Sequence, residues 1–246
     1  MNTKRITQLS PLLLLIAIII SACGFGPGRL VVGSGSVVEE SRQVSGISGV
    51  NLATIGDLTI ELGDTETFSV EADDNLMEYI KTSVVGGVLR IEVNDRVNLK
   101  PTKRIKYSLT VKSLDSIKVS SVGDVVAPVL TADRFSVSIS STGDVSIPAL
   151  NAETLIVDIS STGNLDIDGG EVKTQEIKIS STGKYNARDL ESDEADVRLS
   201  STGSATIWVK STLTASLSST GDLNYRGNPT VDSTTNSTGD VNKISD

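Results

Sequence analysis

The chain has 246 residues, 22 of them basic and 31 acidic, for a net charge of −9, with no histidine, one cysteine and eight aromatics. Acidity without clustered Lys and Arg argues against a nucleic-acid partner, which needs cations to neutralise phosphates. The missing histidine removes His-based triads, His metal ligands and the one side chain that titrates near neutrality unperturbed. Ser and Thr number 58, whereas a globular domain is ordinarily richer in apolar residues.

Residues 1–23 pass from Lys4 and Arg5 through an apolar core, Leu12–Ile20, to Ser21-Ala22-Cys23. Nine residues rise about 14 Å as a helix, too short for a bilayer core of about 30 Å. The pattern is that of a secretory signal. Its ending resembles the lipobox of bacterial lipoproteins, which implies cleavage after residue 22 and lipid attachment at Cys23, anchoring the protein to the membrane. Without Lys4 and Arg5 the mature chain carries −11. A single cysteine leaves none for a disulfide. Residues 23–43, rich in Gly, Pro and Ser, are expected to form a flexible tether, and the folded domain is expected over 44–246. The glycines at 33 and 35 precede no helical pattern and no P-loop lysine follows, so nucleotide binding is unsupported.

From residue 44 onward the periodicity is two, the strand period. Val50, Leu52, Thr54, Gly56, Leu58, Ile60 and Leu62 share one parity. Phe68 and Val70 mark a further strand, Leu76–Lys81 allows one helical turn, and Val84–Ile91 reads as a hairpin around Gly86-Gly87. Tyr107, Leu109 and Val111 mark another strand. After these, a repeat takes over. Ser-Ser-Val-Gly ends at Gly123, Ser-Ser-Thr-Gly ends at Gly143, Gly163, Gly183, Gly203 and Gly221, and Asn-Ser-Thr-Gly ends at Gly239. The spacings are 20, 20, 20, 20, 18 and 18. Every one is even, so apolar residues face the same way in each unit. One unit places Phe135, Val137, Ile139, Ser141, Gly143, Val145 and Ile147 on the inward side, and the next repeats the pattern from Leu155 to Ile167. No helical pattern separates the units, so they predict a parallel β-helix, an all-β solenoid with coils of 18–20 residues and an irregular N-terminal half. The small Ser-x-Gly at each bend lets the wall approach the core or turn a corner. The final coil, Ser233–Val241, is polar, as a cap should be.

These residues resemble the bacterial head GIN domain family. The resemblance rests on Ile47-Ser48-Gly49-Val50, Ile55-Gly56-Asp57-Leu58, Val88-Leu89-Arg90-Ile91, the Ser-Thr-Gly-Asp elements, and the ending Leu223-Asn224-Tyr225-Arg226-Gly227-Asn228-Pro229. It covers about residues 44–244. Thr or Val stands where that family often has Gly or Ala before the last glycine. The resemblance implies a β-helical surface domain of an auto-transporter adhesin, on secreted or lipid-anchored proteins, with no catalytic residues to carry over.

Several features are candidates for contact. An outward row of Thr142, Thr162, Thr182, Thr202, Thr220 and Thr238 forms a hydroxyl ladder, read either as strand-stabilising or as a repetitive recognition surface for a glycan or ice, and a glycan or a cell-surface protein is the partner expected for the domain. A second row, Asp124, Asp144, Asn164, Lys184, Ser204, Asp222 and Asp240, is read as turn-capping, with calcium as the alternative. Trp208 points away from the core and is either a partner anchor or covered by a neighbouring loop. No metal, cofactor or catalytic residue is expected. The reading is therefore a non-enzymatic envelope lipoprotein, exported and exposed on the outer surface. A polysaccharide-cleaving enzyme or a periplasmic scaffold or signalling partner stand as alternatives.

Overall fold

The computed structural model describes residues 28–94, 96–236 and 238–245. The signal segment and Cys23 lie outside the described residues.

The repeats stack as parallel coils. On one side of the solenoid lie β10 (Ser116–Val119) and the later parts of β12 (Leu130–Ile139), β14 (Leu150–Ile159), β16 (Gly170–Ile179), β17 (Lys184–Leu199) and β18 (Ser204–Leu217), followed by β20 (Thr230–Thr235). A second side is built from β11 (Val125–Val126), β13 (Val145–Ile147), β15 (Leu165–Ile167), the starts of β17 and β18, β19 (Leu223–Arg226) and β21 (Val241–Lys243). The register is one repeat: Val137 pairs with Val157, and Val157 with Ile177. In the last coils it shortens to 18, with Leu213 beside Val231 and Leu223 beside Val241. Each full coil also has a third pairing stretch, such as Leu130–Ala132 on Leu150–Ala152, separated from the first by an unpaired residue at 133 and 153.

The even spacing places like residues above one another inside. Leu52, Val119, Ile139, Ile159, Ile179, Leu199 and Leu217 are stacked neighbours, each at most 1% exposed. Full burial of such a side chain contributes roughly 1.5–3 kcal/mol. The row ends at Thr235, which pairs with Leu217 and is exposed. The last coil thus exchanges core residues for polar ones and closes the stack.

The first half forms the other end. β3 (Gly49–Ala53) and β4 (Asp57–Leu62) make a coil beneath β10 and β11, where Val50 pairs with Ile117 and Leu58 with Val125. The chain then doubles back. β7 (Val88–Val93) and β9 (Lys106–Val111) stack on the opposite edges of β3 and β4. Antiparallel strands cover that layer: β6 (Ile80–Val85) on β7, β5 (Thr67–Asp73) on β9, and β2 (Val37–Arg42) on β5. The motif-free interval between Gly56 and Gly123 is therefore a folded cap. Its expected hairpin is present, with Gly86 and Gly87 at φ 59° and 80° between the paired Val85 and Val88. The expected helical turn is a 3-10 turn over Asp74–Tyr79. Leu62, which shares the inward parity, lies at the strand end and is 44% exposed.

Residues 29–42 correct the expectation of a flexible tether over 23–43. β1 (Arg29–Val32) pairs with β8 (Val97–Lys100), and β2 pairs with β5. Composition misleads here because Gly33 and Gly35 serve packing. A Cβ on Gly33 would meet the Asp73 carboxylate at 2.3 Å, and Gly35 turns at φ 90°. Its amide donates to Asp73 Oδ1 at 2.7 Å.

Candidate binding surface

The Ser-Ser-Thr-Gly corner is shaped by its glycines. A Cβ on Gly143, Gly163, Gly183, Gly203 or Gly221 would sit 2.0–2.5 Å from the carbonyl oxygen of the corner glycine in the preceding coil. None of the five has a left-handed φ. Their need for glycine is close stacking, since Cβ has no room at that distance. The half-buried serine two residues before the glycine ties the coils together through its backbone: the carbonyls of Ser141, Ser161, Ser181, Ser201 and Ser219 accept from the corner glycine amide of the next coil, and at Ser141 the hydroxyl also donates to the Ser121 carbonyl. Between serine and glycine the chain must turn outward, so Thr142, Thr162, Thr182, Thr202, Thr220 and Thr238 are all exposed. They form one line along the corner, headed by Val122 at 59% exposure. Beside it runs a parallel row of exposed Ser140, Ser160, Ser180, Ser200 and Ser218.

The row after each glycine is a ladder of side-chain acceptors. Asp144 N donates to Asp124 Oδ1 at 3.2 Å, Asn164 N to Asp144 Oδ1 at 2.8 Å, and Lys184 N to Asn164 Oδ1 at 3.1 Å. Near the other end, Asp240 N donates to Asp222 Oδ1 at 3.0 Å. Arg104 closes the ladder's start, lying 2.8 Å from Asp57 and 3.4 Å from Asp124. Asp124, Asp144 and Asp222 are thus each engaged with the next coil's backbone, the turn-capping arrangement. Among the described residues no group of three or more Cys, Asp or Glu is placed to hold a metal ion.

Trp208 stands on the third side and is half-buried. The coil here is shorter: Ile207 and Trp208 are consecutive, while their partners Ala187 and Glu191 are four apart. This brings Arg226 of the next coil over the indole, 4.2 Å from the ring centroid, with its guanidinium 2.7 Å from Asp189. One ring face is therefore covered by a cation-π contact, and contact with a partner is left to the rest of the ring.

Sequence periodicity alone missed a shallow concavity of about 640 Å³ on the third side, lined by Asp133, Asn151, Glu153, Glu171, Lys173 and Asp193 among others. Asp133, Glu153, Lys173 and Asp193 occupy the same phase of successive repeats, and that phase was the available signal. Lys173 pairs with Glu153. Lys210 reaches Glu171 at 3.0 Å, Asp193 at 3.2 Å and Glu191 at 3.6 Å. Hydrogen bonds to Glu171 and Asp193 push the Lys210 ammonium pKa up, and the Glu153 bond does the same for Lys173. The concavity is an ion-pair network across coils.

Three solved structures share the fold. A "putative adhesin" from Bacteroides fragilis NCTC 9343 aligns with a TM-score of 0.78 at 20% identity, covering 87% of this chain and 99% of that one. A "putative lipid binding protein" from Parabacteroides distasonis ATCC 8503 aligns at 0.71 and 19% identity, covering 88% and 100%. A "putative adhesin" from Parabacteroides merdae ATCC 43184 aligns at 0.69 and 18% identity, covering 87% and 99%. No curated protein matches the sequence. The profile described as "Putative auto-transporter adhesin, head GIN domain" matches residues 47–229, from the first coil to the turn after β19, and the chain belongs to that family.

Proposed function

We propose that this protein is an exported envelope lipoprotein, anchored through Cys23, whose solenoid displays a polar face for adhesion without performing chemistry. The observation that carries this reading is the pair of exposed hydroxyl rows, Thr142 to Thr238 and Ser140 to Ser218, held at a fixed step by the stacked corners. A rigid repeated surface binds through many weak polar contacts, which suits an extended glycan or a cell-surface protein. Family membership supports an adhesin-like, non-enzymatic role. Glu153, Glu171 and Asp193 of the concavity are knitted to Lys173 and Lys210, which also favours a binding scaffold over glycoside cleavage, where a carboxyl pair must flank the scissile bond.

Protease shaving of intact cells, with mass analysis of released fragments, tests exposure, and a Cys23→Ala strain tests the anchor. Fragments from residues 44–246 released only from the anchored form support the reading. Full protection of an anchored protein would refute surface adhesion and leave a periplasmic scaffold. A binder predicts graded loss of cell or glycan attachment as threonines along the row are replaced. Abolition of a polysaccharide-cleaving activity by one acid replacement would establish the enzyme instead.

A further inference from the structure

The β1/β8 ribbon combines exposed apolar residues with unmatched cations. Val31 turns inward at 9% exposure, while Leu30 and Val32 on the opposite side are 60% and 53% exposed. Their partners on that outward side are Asn98 and Lys100. The two apposed segments, 28–36 and 96–104, contain Arg29, Arg96, Lys100, Lys103 and Arg104 and no acid, in a chain of net charge −9. Arg104 is engaged by Asp57 and Asp124. The other four cations form no ion pair among the described residues. Of the acids near these segments, Asp73 accepts from Gly35 and Thr102, and Asp74 from Ser34, while Asp95 directly precedes Arg96 in the sequence. Arg96 is held at φ 62°, where Gly or Asn would cost less, yet a cation stands there.

The position of the ribbon in the chain identifies what it meets. Gly28 follows Cys23 by five residues, a reach of about 17 Å at full extension. We infer that the outward face of the β1/β8 ribbon is a membrane-contact surface, with Leu30 and Val32 set among the headgroups and Arg96, Lys100 and Lys103 against anionic lipid. This rests on the proposed anchoring at Cys23. Two apolar side chains and three cations are too few to recruit a protein from solution. A short tether supplies the effective concentration that makes such a contact persist, and basic residues beside anionic lipid add to it. The contact also orients the domain. Residues 120–246 carry 18 acids against nine bases, so seating the basic ribbon turns the acidic coils and their hydroxyl rows away from a like-charged bilayer.

The test couples the mature chain from Cys23 to maleimide-lipid vesicles through that sole thiol, using phosphatidylcholine alone or mixed with phosphatidylglycerol. Hydrogen exchange is then compared with the free protein. The expected result on anionic vesicles is exchange at least fivefold slower in 28–36 and 96–104, with 230–235 unchanged. Leu30→Asp combined with Lys100→Glu should return both segments to the free rate while circular dichroism and the 230–235 exchange stay as in the parent. Equal exchange in the free and tethered proteins would overturn the inference, as would equal protection on phosphatidylcholine alone. The anchoring itself is read separately, from the mass of the N-terminal peptide of membrane-extracted protein. An unacylated Cys23 would sink the anchor, whereas the chemically tethered vesicles still decide the ribbon.

Discussion

The solenoid's two halves reach the same architecture by different means. From residue 116 onward each strand pairs with the strand one repeat away, and one short motif makes the same corner in each coil. Before that, coil partners are 39, 49 or 67 residues apart, as in Val50 with Leu89, Leu58 with Tyr107 and Val50 with Ile117, and antiparallel strands cover the end. A repeat can copy a local solution because each coil sees the same neighbours. An end cannot, since its outer edge has no coil to pair with and must be covered by something else. The glycines show the difference. In the repeats they are required by stacking; at Gly86 in the cap hairpin a Cβ would meet nothing within 4 Å and only the φ of 59° is at issue.

The largest effect is therefore expected from Gly163→Ala. Its Cβ would lie 2.2 Å from the Gly143 carbonyl and 2.7 Å from Ile139 Cγ2, with backbone on one side and packed core on the other. Overpacking of this kind costs about 3 kcal/mol, whereas Gly86→Ala carries only the left-handed penalty of about 1 kcal/mol. Denaturant midpoints at constant m-value check the ordering. Equal losses would mean that the corners relax and that stacking is not what demands glycine.

Next comes an irregularity inside the regular half. Gln175 takes the place that Leu155 has in the preceding coil, fully buried, and accepts a 2.7 Å bond from the Tyr185 hydroxyl, while its Nε2 has no partner. Burial pushes the Tyr185 phenol pKa well up. Tyr185→Phe leaves Gln175 wholly unpaired, and Gln175→Leu leaves the hydroxyl unpaired; each should cost about 2 kcal/mol. The double replacement removes both polar groups and should return to the parent's stability or above, a coupling that a double-mutant cycle reads directly. Additive losses would show that the pair does not act as a unit.

The cap should respond to acid. Burial works against the Asp73 carboxylate, but bonds from Thr102 Oγ1, the Thr102 amide and the Gly35 amide outweigh it and hold its pKa below the ordinary carboxylate value. A lowered folded pKa contributes stability that is present above the unfolded value, about 3.9, and lost as pH falls through the folded one. Glu66, held low by the Ile47 and Gly46 amides, adds in the same sense. Protection factors against hydrogen exchange, corrected for the intrinsic rate at each pH, should fall in 28–36 and 67–79 on acidification before those of the repeats. Asp73→Asn should flatten the dependence, and simultaneous loosening of both halves would show that the cap has no acid sensitivity of its own.

How much of this was legible follows the same division. Ile139, Ile159 and Ile179 share a phase, so the inward rows, the corners and the polar last coil could be read from periodicity alone. The cap's individual strands were also readable, because Phe68 and Val70 or Tyr107 and Leu109 alternate as any strand does. Their order was not, since nothing local says that β7 and β9 stack beneath β3 and β4. Glycine content misled at 33 and 35, where a close approach and a turn look the same as flexibility in composition. The basic ribbon was hidden for a related reason: Val32 and Lys100 are neighbours only after β1 finds β8. Trp208 was readable as outward, and as either an anchor or covered, but the choice was not, because its cover, Arg226, depends on a coil that drops three residues at one corner.

The smallest effect tests whether the aspartate ladder is structural. Asp144 Oδ1 accepts from both the amide and the Nδ2 of Asn164, at 2.8 and 2.9 Å. If the ladder works by accepting backbone amides, Asp144→Ala should cost about 1 kcal/mol, and Asp144→Asn should restore nearly all of it, because the oxygen and not the charge is needed. The chain itself uses Asn164 in this role, accepting the Lys184 amide at 3.1 Å. Millimolar calcium should then leave the melting temperature of both the parent and the asparagine variant unchanged. Calcium raising the parent's melting temperature, with asparagine abolishing the rise, would instead make the carboxylate row a cation site. The regular half would then share with the cap a dependence on charge that its present geometry, amide by amide, does not require.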